Sequence, residues 1–229
     1  MTSIAIIPAR GGSKRIPQKN LRMFHGRPMI ARSVGCALES RLFDRVIVST
    51  DDDEIARIAS AEGAWVPFRR PENLSNDQAP TMPVLLHCID WWRTNVGLID
   101  FACCIYATAP LLEPGVLIEG FELLVNSDAD FVLSVTKFDY PIQRSLRLGK
   151  HGSLEFSDPR NALKRSQDLE LRYHDAGQFF VGRVDSFERC ESVLDGRCLP
   201  LIIPKNQAVD IDTEEDWVTA EKLFAIKNL

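Results

Sequence analysis

The chain has 229 residues, of which 45% are hydrophobic and 26% are charged, and its net charge is −5. This length can bury one sizeable core, and the composition is that of an ordinary globular domain. The acidic balance argues against general nucleic-acid binding, and no apolar run approaches the ~20 residues that a membrane-spanning helix needs. We therefore expect a single domain over residues 1–229, with no nucleic-acid partner and no membrane partner.

Strands and helices are predicted to alternate over the first 135 residues. Short β-branched runs predict strands, and apolar residues at three- and four-residue spacing predict helices. The strands are expected at 4–7, 45–50, 64–66, 101–106 and 131–135. The helices are expected at 28–38, at 51–61, where Asp51 and Glu54 form a capping box, and at 81–93, with another from Pro114. This order favours an α/β fold with a doubly wound, mostly parallel sheet.

The alternation stops between residues 137 and 174, in a polar stretch that contains Pro141 and Pro159. A long irregular segment in a compact domain is usually functional, or it packs on something outside the domain. We interpret it as an inserted excursion and as a candidate dimerisation element. Strands at 178–181 and 199–203 and a helix at 213–226 complete the predicted fold.

Six cysteines show neither CxxC spacing nor histidine partners at zinc spacing. A bridge between Cys190 and Cys198 is an alternative, but free thiols are the favoured interpretation. The apolar segment near Ile4 is about four residues long, shorter than the 7–15 residues of a signal peptide. These features favour a reducing, cytoplasmic location.

The first predicted strand runs into a loop of sequence PARGGSKRIPQKN at 8–20. Its paired glycines, Gly11 and Gly12, permit positive φ angles and close approach of a ligand to the backbone. Free amides in such a loop bind anions, and four cations surround them: Arg10, Lys14, Arg15 and Lys19. The first 38 residues carry seven Lys or Arg and no acid, which leaves −12 on the rest of the chain. A nucleotide polyphosphate is the predicted ligand, and an ordinary turn is the alternative.

Two carboxylates, Asp210 and Asp212, come just before the last predicted helix. In an extended segment they point to the same side, because strand side chains alternate with a period of two. Such a pair suits Mg²⁺, which takes one or two carboxylates together with substrate phosphates. The alternative is that Asp212 caps the helix in a capping box with Glu215, although capping gives no reason for Asp210. The Asp-x-Asp nucleophile of haloacid-dehalogenase-type phosphatases is a poor match, since its threonine comes one position later than Thr213.

Three segments together resemble the CMP-sialic acid synthetase family of cytidylyltransferases: PARGGSKRIPQKN at 8–20, RPENLSNDQAPT at 70–81 and DIDTEEDW at 210–217. The resemblance covers nearly the whole chain and implies a Rossmann-like nucleotidyltransferase fold. It implies that CTP is held by Ala9, Arg10, Gly11, Gly12, Ser13, Lys14, Lys19, Asn20, Arg70 and Thr81. It also implies a magnesium ion on Asp210 and Asp212, and catalytic roles for these two carboxylates, Arg10 and Lys19.

On the sugar side, the chain departs from the sialate branch of the family. Tyr106 stands where that branch has a glutamine expected to touch the sugar, and the segments RSQDL at 165–169 and YHDAGQF at 173–179 look like the pseudaminate-activating branch. The implied sugar contacts are Tyr106, Thr108, Arg165, His174, Asp175 and Gln178. For His174 and Asp175, the alternative is that they pair or cap within a solvated loop.

The resemblance implies a Mg²⁺-dependent enzyme that joins CMP to an acidic nine-carbon sugar in a bacterial cytoplasm. Pseudaminate, which decorates flagellin, is the expected sugar, with N-acetylneuraminate and legionaminate as alternatives. The family also implies a homodimer whose excursion, residues 137–174, reaches the partner's active site. A non-catalytic CTP-binding module and a structural protein with a fortuitous basic loop are the interpretations from other classes.

Overall fold

Ten strands and six helices make up the part of the chain that the computed structural model describes, residues 1–227. The strands are β1 (Ser3–Pro8), β2 (Met23–Phe24), β3 (Arg27–Pro28), β4 (Arg45–Ser49), β5 (Phe101–Ile105), β6 (Phe131–Lys137), β7 (Leu146–Leu148), β8 (Leu154–Phe156), β9 (Tyr173–Arg183) and β10 (Cys198–Ile202). The helices are α1 (Met29–Ser40), α2 (Asp53–Ala61), α3 (Thr81–Asn95), α4 (Pro114–Val125), α5 (Val184–Arg189) and α6 (Glu214–Lys227).

Six strands form one sheet in the order β10-β6-β9-β5-β1-β4. Strand β1 is parallel to β4 and β5, and β10 is parallel to β6. Strand β9 runs antiparallel to both of its neighbours, β5 and β6. The predicted α/β fold with a mostly parallel, doubly wound sheet is confirmed, with one reversed strand inside it.

Helices cover both faces of the sheet, and alternate residues of β1 show the two layers. Ala5 and Ile7 pack in one hydrophobic cluster with residues of α1, α2 and α4, whereas Ile4 and Ile6 pack in the other with residues of α3 and α5. All four side chains are fully buried. Burial on both faces explains why the strand is a continuous apolar run rather than an alternating one.

A third, smaller cluster joins the two ends of the chain. It contains Ile16 and Phe24 from the N-terminal region and Ile211, Trp217 and Ala220 from the C-terminal region. The rings of Phe24 and Trp217 meet edge to face with their centroids 5.6 Å apart. This packing holds α6 against the segment that follows the glycine loop, and so it fixes the loop relative to the residues that precede α6.

Two local predictions are wrong. Asp52 rather than Asp51 caps α2, because its carboxylate accepts hydrogen bonds from the backbone N–H groups of Glu54 and Ile55. The strand expected at 64–66 is reduced to a single bridge between Trp65 and Ile47.

The excursion contains short elements only, namely the β7–β8 hairpin and several 3₁₀ turns. The hairpin is separate from the main sheet and leaves Leu146, Leu148 and Leu154 exposed. A lone two-stranded hairpin is marginally stable in water. A further surface that covers the β7–β8 hairpin would therefore stabilise it. Within residues 1–227, no helix is both long and apolar enough to cross a membrane.

Candidate active site

A cleft opens at the carboxyl ends of β1 and β5, where ligands of open α/β sheets usually bind. The residues that line it are Pro8, Arg10, Ser13, Lys14, Arg15, Ile16, Lys19, Asn20, Tyr106, Ala107 and Thr108. A larger cavity, of about 750 Å³, lies at the other end of β4 beside Trp65 and Trp92. That cavity contains none of the loop's cations, so the smaller cleft is the candidate active site.

Hydrogen bonds from neighbouring residues fix the backbone of the glycine loop. The backbone N–H of Gly11 donates to Asp51 Oδ1 at 3.0 Å, and a Cβ at Gly11 would lie 2.6 Å from Asp52 Oδ2. By contrast, nothing lies within 4 Å of the Cβ position of Gly12. Asn20 is buried, and its Nδ2 donates to the Arg10 carbonyl oxygen at 3.0 Å. A side chain at position 11 would therefore displace the Asp52 carboxylate, whereas the backbone at position 12 is open to a ligand.

The four cations of the loop are all paired with carboxylates. Arg10 and Lys14 both contact Asp77, which lies in the polar segment before α3. Arg15 lies 2.8 Å from Asp212 Oδ2. The positive charge predicted at this loop is present, and two acids of the protein, Asp77 and Asp212, offset part of it.

Lys19 also contacts Asp212, with 3.7 Å between Nζ and Oδ1, and it donates a hydrogen bond to the Ile211 carbonyl oxygen. Burial lowers the pKa of Lys19, while the charges of Asp212 and Asp210 oppose this shift. Lys19 is thus a partly buried ammonium placed between the glycine loop and the late carboxylates.

Asp212 is not the cap of α6. The Thr213 hydroxyl accepts from the N–H of Asp216 at 3.2 Å, and the Asp216 carboxylate accepts from the N–H groups of Thr213 and Asp212 at 2.8 and 3.1 Å. This reciprocal arrangement is a capping box built on Thr213. The alternative in which Asp212 caps with Glu215 is therefore wrong, and the Asp212 carboxylate is available to the cleft.

Asp210 lies in a negative environment. Partial burial raises its pKa, the charge of Asp212 raises it further, and Lys19 opposes both effects. Asp212 is paired with Arg15 and Lys19, whereas Asp210 is offset in part by the charge of Lys19. These two neighbouring carboxylates form a donor set that fits a hard divalent cation such as Mg²⁺. No cluster of three or more Asp, Glu, His or Cys side chains that could hold a metal occurs in residues 1–227. A metal here would complete its coordination with substrate oxygens or water, as Mg²⁺ commonly does.

Arg70 connects to the glycine loop through Asp51. Its side chain is buried, its Nη2 lies 3.5 Å from Asp51 Oδ1, and its Nε is buried without a hydrogen-bond partner. Burial lowers the pKa of Arg70, and Asp51 opposes the shift. A buried donor without a partner calls for an acceptor from a ligand or water. Thr81 begins α3 and is half-buried.

Four of the six predicted sugar contacts lie in or beside the cleft. The Tyr106 backbone N–H donates to the Gln178 carbonyl oxygen at 2.9 Å, and the Tyr106 hydroxyl lies 3.5 Å from Asp175 Oδ2. Burial raises the pKa of Tyr106 well above its ordinary value. Gln178 is buried, with its Oε1 unpartnered. Thr108 lines the same cleft.

The remaining two predicted sugar contacts are not brought into the cleft of this chain. The His174 ring lies 4.7 Å from the Phe138 ring, and its Nδ1 is 2.8 Å from the Asp175 carbonyl oxygen. Arg165 lies in the excursion, where it pairs with Asp168 of its own turn. Within residues 1–227, therefore, the Arg165 side chain makes no hydrogen bond or ion pair with the candidate site.

Sequence reasoning missed two acids of the site, Asp51 and Asp77. A signal existed for each of them. Asp51 follows directly after β4, at the edge of the sheet where parallel strands present their functional residues, and Asp77 lies inside the segment RPENLSNDQAPT. Neither acid was predicted, because charge alone gives no reason to expect a carboxylate beside a loop that is predicted to bind phosphate.

The comparisons with known proteins agree with this geometry. Residues 4–178 match the family model described as cytidylyltransferase. The chain is 38% identical to a pseudaminic acid cytidylyltransferase of Campylobacter jejuni subsp. jejuni serotype O:2, over 100% of this chain and 98% of that protein. It is 28% identical to a CMP-N,N'-diacetyllegionaminic acid synthase of Legionella pneumophila subsp. pneumophila, over 99% and 97% of the two chains.

The fold agrees as well. A solved CMP:2-keto-3-deoxy-manno-octonic acid synthetase superimposes with a TM-score of 0.70 at 17% identity, covering 99% of this chain and 100% of that one. The resemblance that the three motifs indicated is confirmed over the length of the chain. The chain belongs to the cytidylyltransferase family.

Proposed function

We propose that the protein transfers CMP from CTP to the anomeric hydroxyl of pseudaminic acid. The hydroxyl oxygen attacks the α-phosphorus, the bond between the α-phosphorus and the bridging oxygen breaks, and pyrophosphate leaves while the hydroxyl proton is lost. The observation that carries the proposal is the contact of two cleft cations, Arg15 and Lys19, with Asp212, and the charge interaction of Lys19 with Asp210. The choice of sugar is supported by the greater identity to the pseudaminate enzyme than to the legionaminate one.

At the nucleotide end, the work of the protein is positioning and charge neutralisation. The open backbone at Gly12, between Gly11 and Ser13, would receive the triphosphate, with Arg10 and Lys14 along its β- and γ-phosphates. Lys19, already partly buried, would offset the charge that grows on the leaving pyrophosphate. The buried Arg70, with its unpartnered Nε, and Thr81 would face the cytosine.

Asp210 and Asp212 would hold Mg²⁺, and the bound ion would supply positive charge next to the α-phosphate. The dependence on magnesium is part of the proposal. It is supported by the fit between the carboxylate pair and a hard cation, since partial burial and mutual repulsion already raise the pKa of Asp210.

On the sugar side, Tyr106, Thr108, Asp175 and Gln178 would contact the sugar within one chain. We propose that the protein is a homodimer built through residues 137–174, whose exposed leucines need a covering surface. The excursion would then carry Arg165 and His174 to the partner's cleft, where a guanidinium matches the sugar carboxylate. A solution mass of twice that of one chain is the expected measurement. All six cysteines are free, which supports a cytoplasmic location.

The experiment that tests the function is pyrophosphate release from each nucleoside triphosphate, with pseudaminate, legionaminate and N-acetylneuraminate in turn. We expect release from CTP with pseudaminate. Preference for another of the three sugars would replace the substrate and keep the reaction class. A CTP-dependent rise in melting temperature with no release for any sugar would support the non-catalytic module instead.

Arg10→Ala is expected to weaken the use of CTP by about tenfold or more, because it removes a charge-assisted contact to phosphate. The measurement is kcat/KM for CTP at saturating sugar. Arg69→Ala is the matched control, because Arg69 pairs with Asp53 outside the cleft. An unchanged value for Arg10→Ala would place the triphosphate elsewhere.

Asp77→Asn is expected to strengthen CTP binding by about twofold to fivefold, since Asp77 competes with the triphosphate for Arg10 and Lys14. Isothermal titration with CTP alone measures this effect. Asp53→Asn removes another exposed carboxylate that pairs with an arginine, away from the cleft, and should leave the affinity unchanged. Weaker binding by Asp77→Asn would mean that Asp77 organises the two cations rather than competing for them.

A further inference from the structure

Strand β9 contains a large bulge in the middle of the sheet. Leu133 of β6 pairs with Phe180, whereas Val135, two residues on, pairs with Asp175, five residues back. Ser134 of β6 is therefore opposite four residues of β9, numbers 176–179. Bulges are over-represented next to active sites, where they redirect side chains, and this one lies in an interior strand rather than at an edge.

Ser134 repairs the hydrogen bonding that the bulge disrupts. Its side chain is fully buried, and its hydroxyl donates to the Phe179 carbonyl oxygen at 2.7 Å while accepting from the Phe179 N–H at 3.1 Å. One side chain thus satisfies the donor and the acceptor of the same residue, in place of a strand partner. Unpaired backbone groups at this depth would be strongly unfavourable, so the hydroxyl stabilises the bulged form of the strand.

The bulge places three groups of the candidate site against one another. Gly177, with a φ of +66°, donates its N–H to Asp175 Oδ1 at 2.8 Å. The other carboxylate oxygen of Asp175 faces the Tyr106 hydroxyl. A Cβ at Gly177 would lie 2.9 Å from the Cβ of Asp210, so the backbone of the bulge forms the wall against which Asp210 rests.

We propose that this bulge is the positioning element of the sugar end of the site, with Ser134 and Gly177 as its positioning residues. Gly177 sets the distance between the bulge and Asp210 and orients Asp175, and Ser134 keeps the strand in the bulged form. The result is an Asp175 carboxylate oriented, beside Asp210, to accept hydrogen bonds from the hydroxyl and acylamino N–H groups of the sugar. This inference rests on the proposed function, because it assigns the sugar to this end of the cleft.

The first test is Gly177→Ala, with Gly26→Ala as the matched control. Gly26 has a φ of +80° and no atom within 4 Å of its Cβ position, so the control introduces similar backbone strain without contact to Asp210. We expect Gly177→Ala to lower kcat/KM for the sugar by at least about tenfold, because small displacements of reacting groups reduce turnover strongly. The Kd for CTP in the absence of sugar, and both parameters of Gly26→Ala, should stay within about twofold of wild type.

The second test is Ser134→Ala, which keeps Gly177 and removes the hydroxyl. Ser40→Ala is its control, because Ser40 is also buried and its hydroxyl also bridges a backbone carbonyl and a backbone N–H, but away from the cleft. We expect Ser134→Ala to lower kcat/KM for the sugar and to leave the Kd for CTP unchanged. Ser40→Ala should change neither kcat/KM for the sugar nor the Kd for CTP. The Ser134→Ala test can be carried out even if Gly177→Ala does not fold.

The outcomes separate this inference from the proposed function. No pyrophosphate release by the wild-type protein with any sugar would overturn both. Wild-type turnover with unchanged sugar kinetics in Gly177→Ala and Ser134→Ala would overturn this inference alone. An equal fall in kcat/KM for the sugar in the variants and their controls would also overturn it. So would a weakening of CTP binding as large as the fall in kcat/KM for the sugar.

Discussion

Asp210→Asn is expected to lower turnover by about a hundredfold or more, with the fold unchanged. The substitution keeps the size of the side chain and removes one of the two negative charges that would hold Mg²⁺. Several kcal/mol of charge stabilisation in the transition state correspond to this loss of rate. The measurement is kcat at saturating CTP and sugar over a range of magnesium concentrations.

A second readout separates metal loss from unfolding. On folding, the pKa of Asp210 rises, so its ionised form opposes folding at neutral pH, and the amide should leave the melting temperature equal or slightly higher. Magnesium added with CTP should raise the melting temperature of the wild type more than that of Asp210→Asn. Asp128→Asn removes an exposed carboxylate that pairs with Arg197 and serves as the control. Near-normal, magnesium-dependent turnover of Asp210→Asn would refute the metal assignment.

Trp217→Ala is expected to reduce the free energy of unfolding by about 3–5 kcal/mol, a large part of the ~5–15 kcal/mol that holds a typical domain together. The Trp217 side chain is fully buried, packs edge to face on Phe24, and lies under the Arg22 guanidinium at 4.3 Å. Its Nε1 donates to Glu221 Oε1 at 3.0 Å. Urea unfolding followed by circular dichroism measures the loss.

Turnover should fall with stability in this variant, because the cluster around Trp217 fixes the carboxylate segment against the glycine loop. Trp217→Phe keeps a ring in the cluster and should retain most of the stability. An unfolding midpoint for Trp217→Ala equal to that of the wild type would show that α6 contributes little to the core.

The sequence was informative where the physical signal is local. The buried runs of β1, β4 and β5 and the glycine loop after β1 are visible as uninterrupted patterns, and the structure has them where the patterns predict. The direction of β9 was not predictable. A run of apolar residues is compatible with either strand direction, and the long excursion before it lets the chain re-enter the sheet from either end. Caps were misplaced by one residue, since Asp51 and Asp52 are chemically alike and only the backbone geometry distinguishes them.

The candidate site likewise combines residues that local sequence patterns predict with residues that depend on long-range contacts. The loop cations and the pair of Asp210 and Asp212 were predicted from spacing, charge and the family resemblance, and the structure brings Arg15 and Lys19 against Asp212. Asp77 as the partner of Arg10, and Ser134 as the support of the β9 bulge, depend on contacts between residues far apart in sequence. No local pattern marks a serine as the replacement for a strand partner, so such residues emerge only once the register of the sheet is known.

The cluster that joins the two ends of the chain has a consequence for biosynthesis. The hydrogen bond from Lys19 to the Ile211 carbonyl oxygen spans 192 residues, and the ion pair of Arg22 with Glu214 spans the same separation. A nascent chain therefore carries the cationic loop without its late carboxylates until residues 210–214 have left the ribosome. A chain that terminates before Asp210 would lack both carboxylates that are proposed to hold the metal.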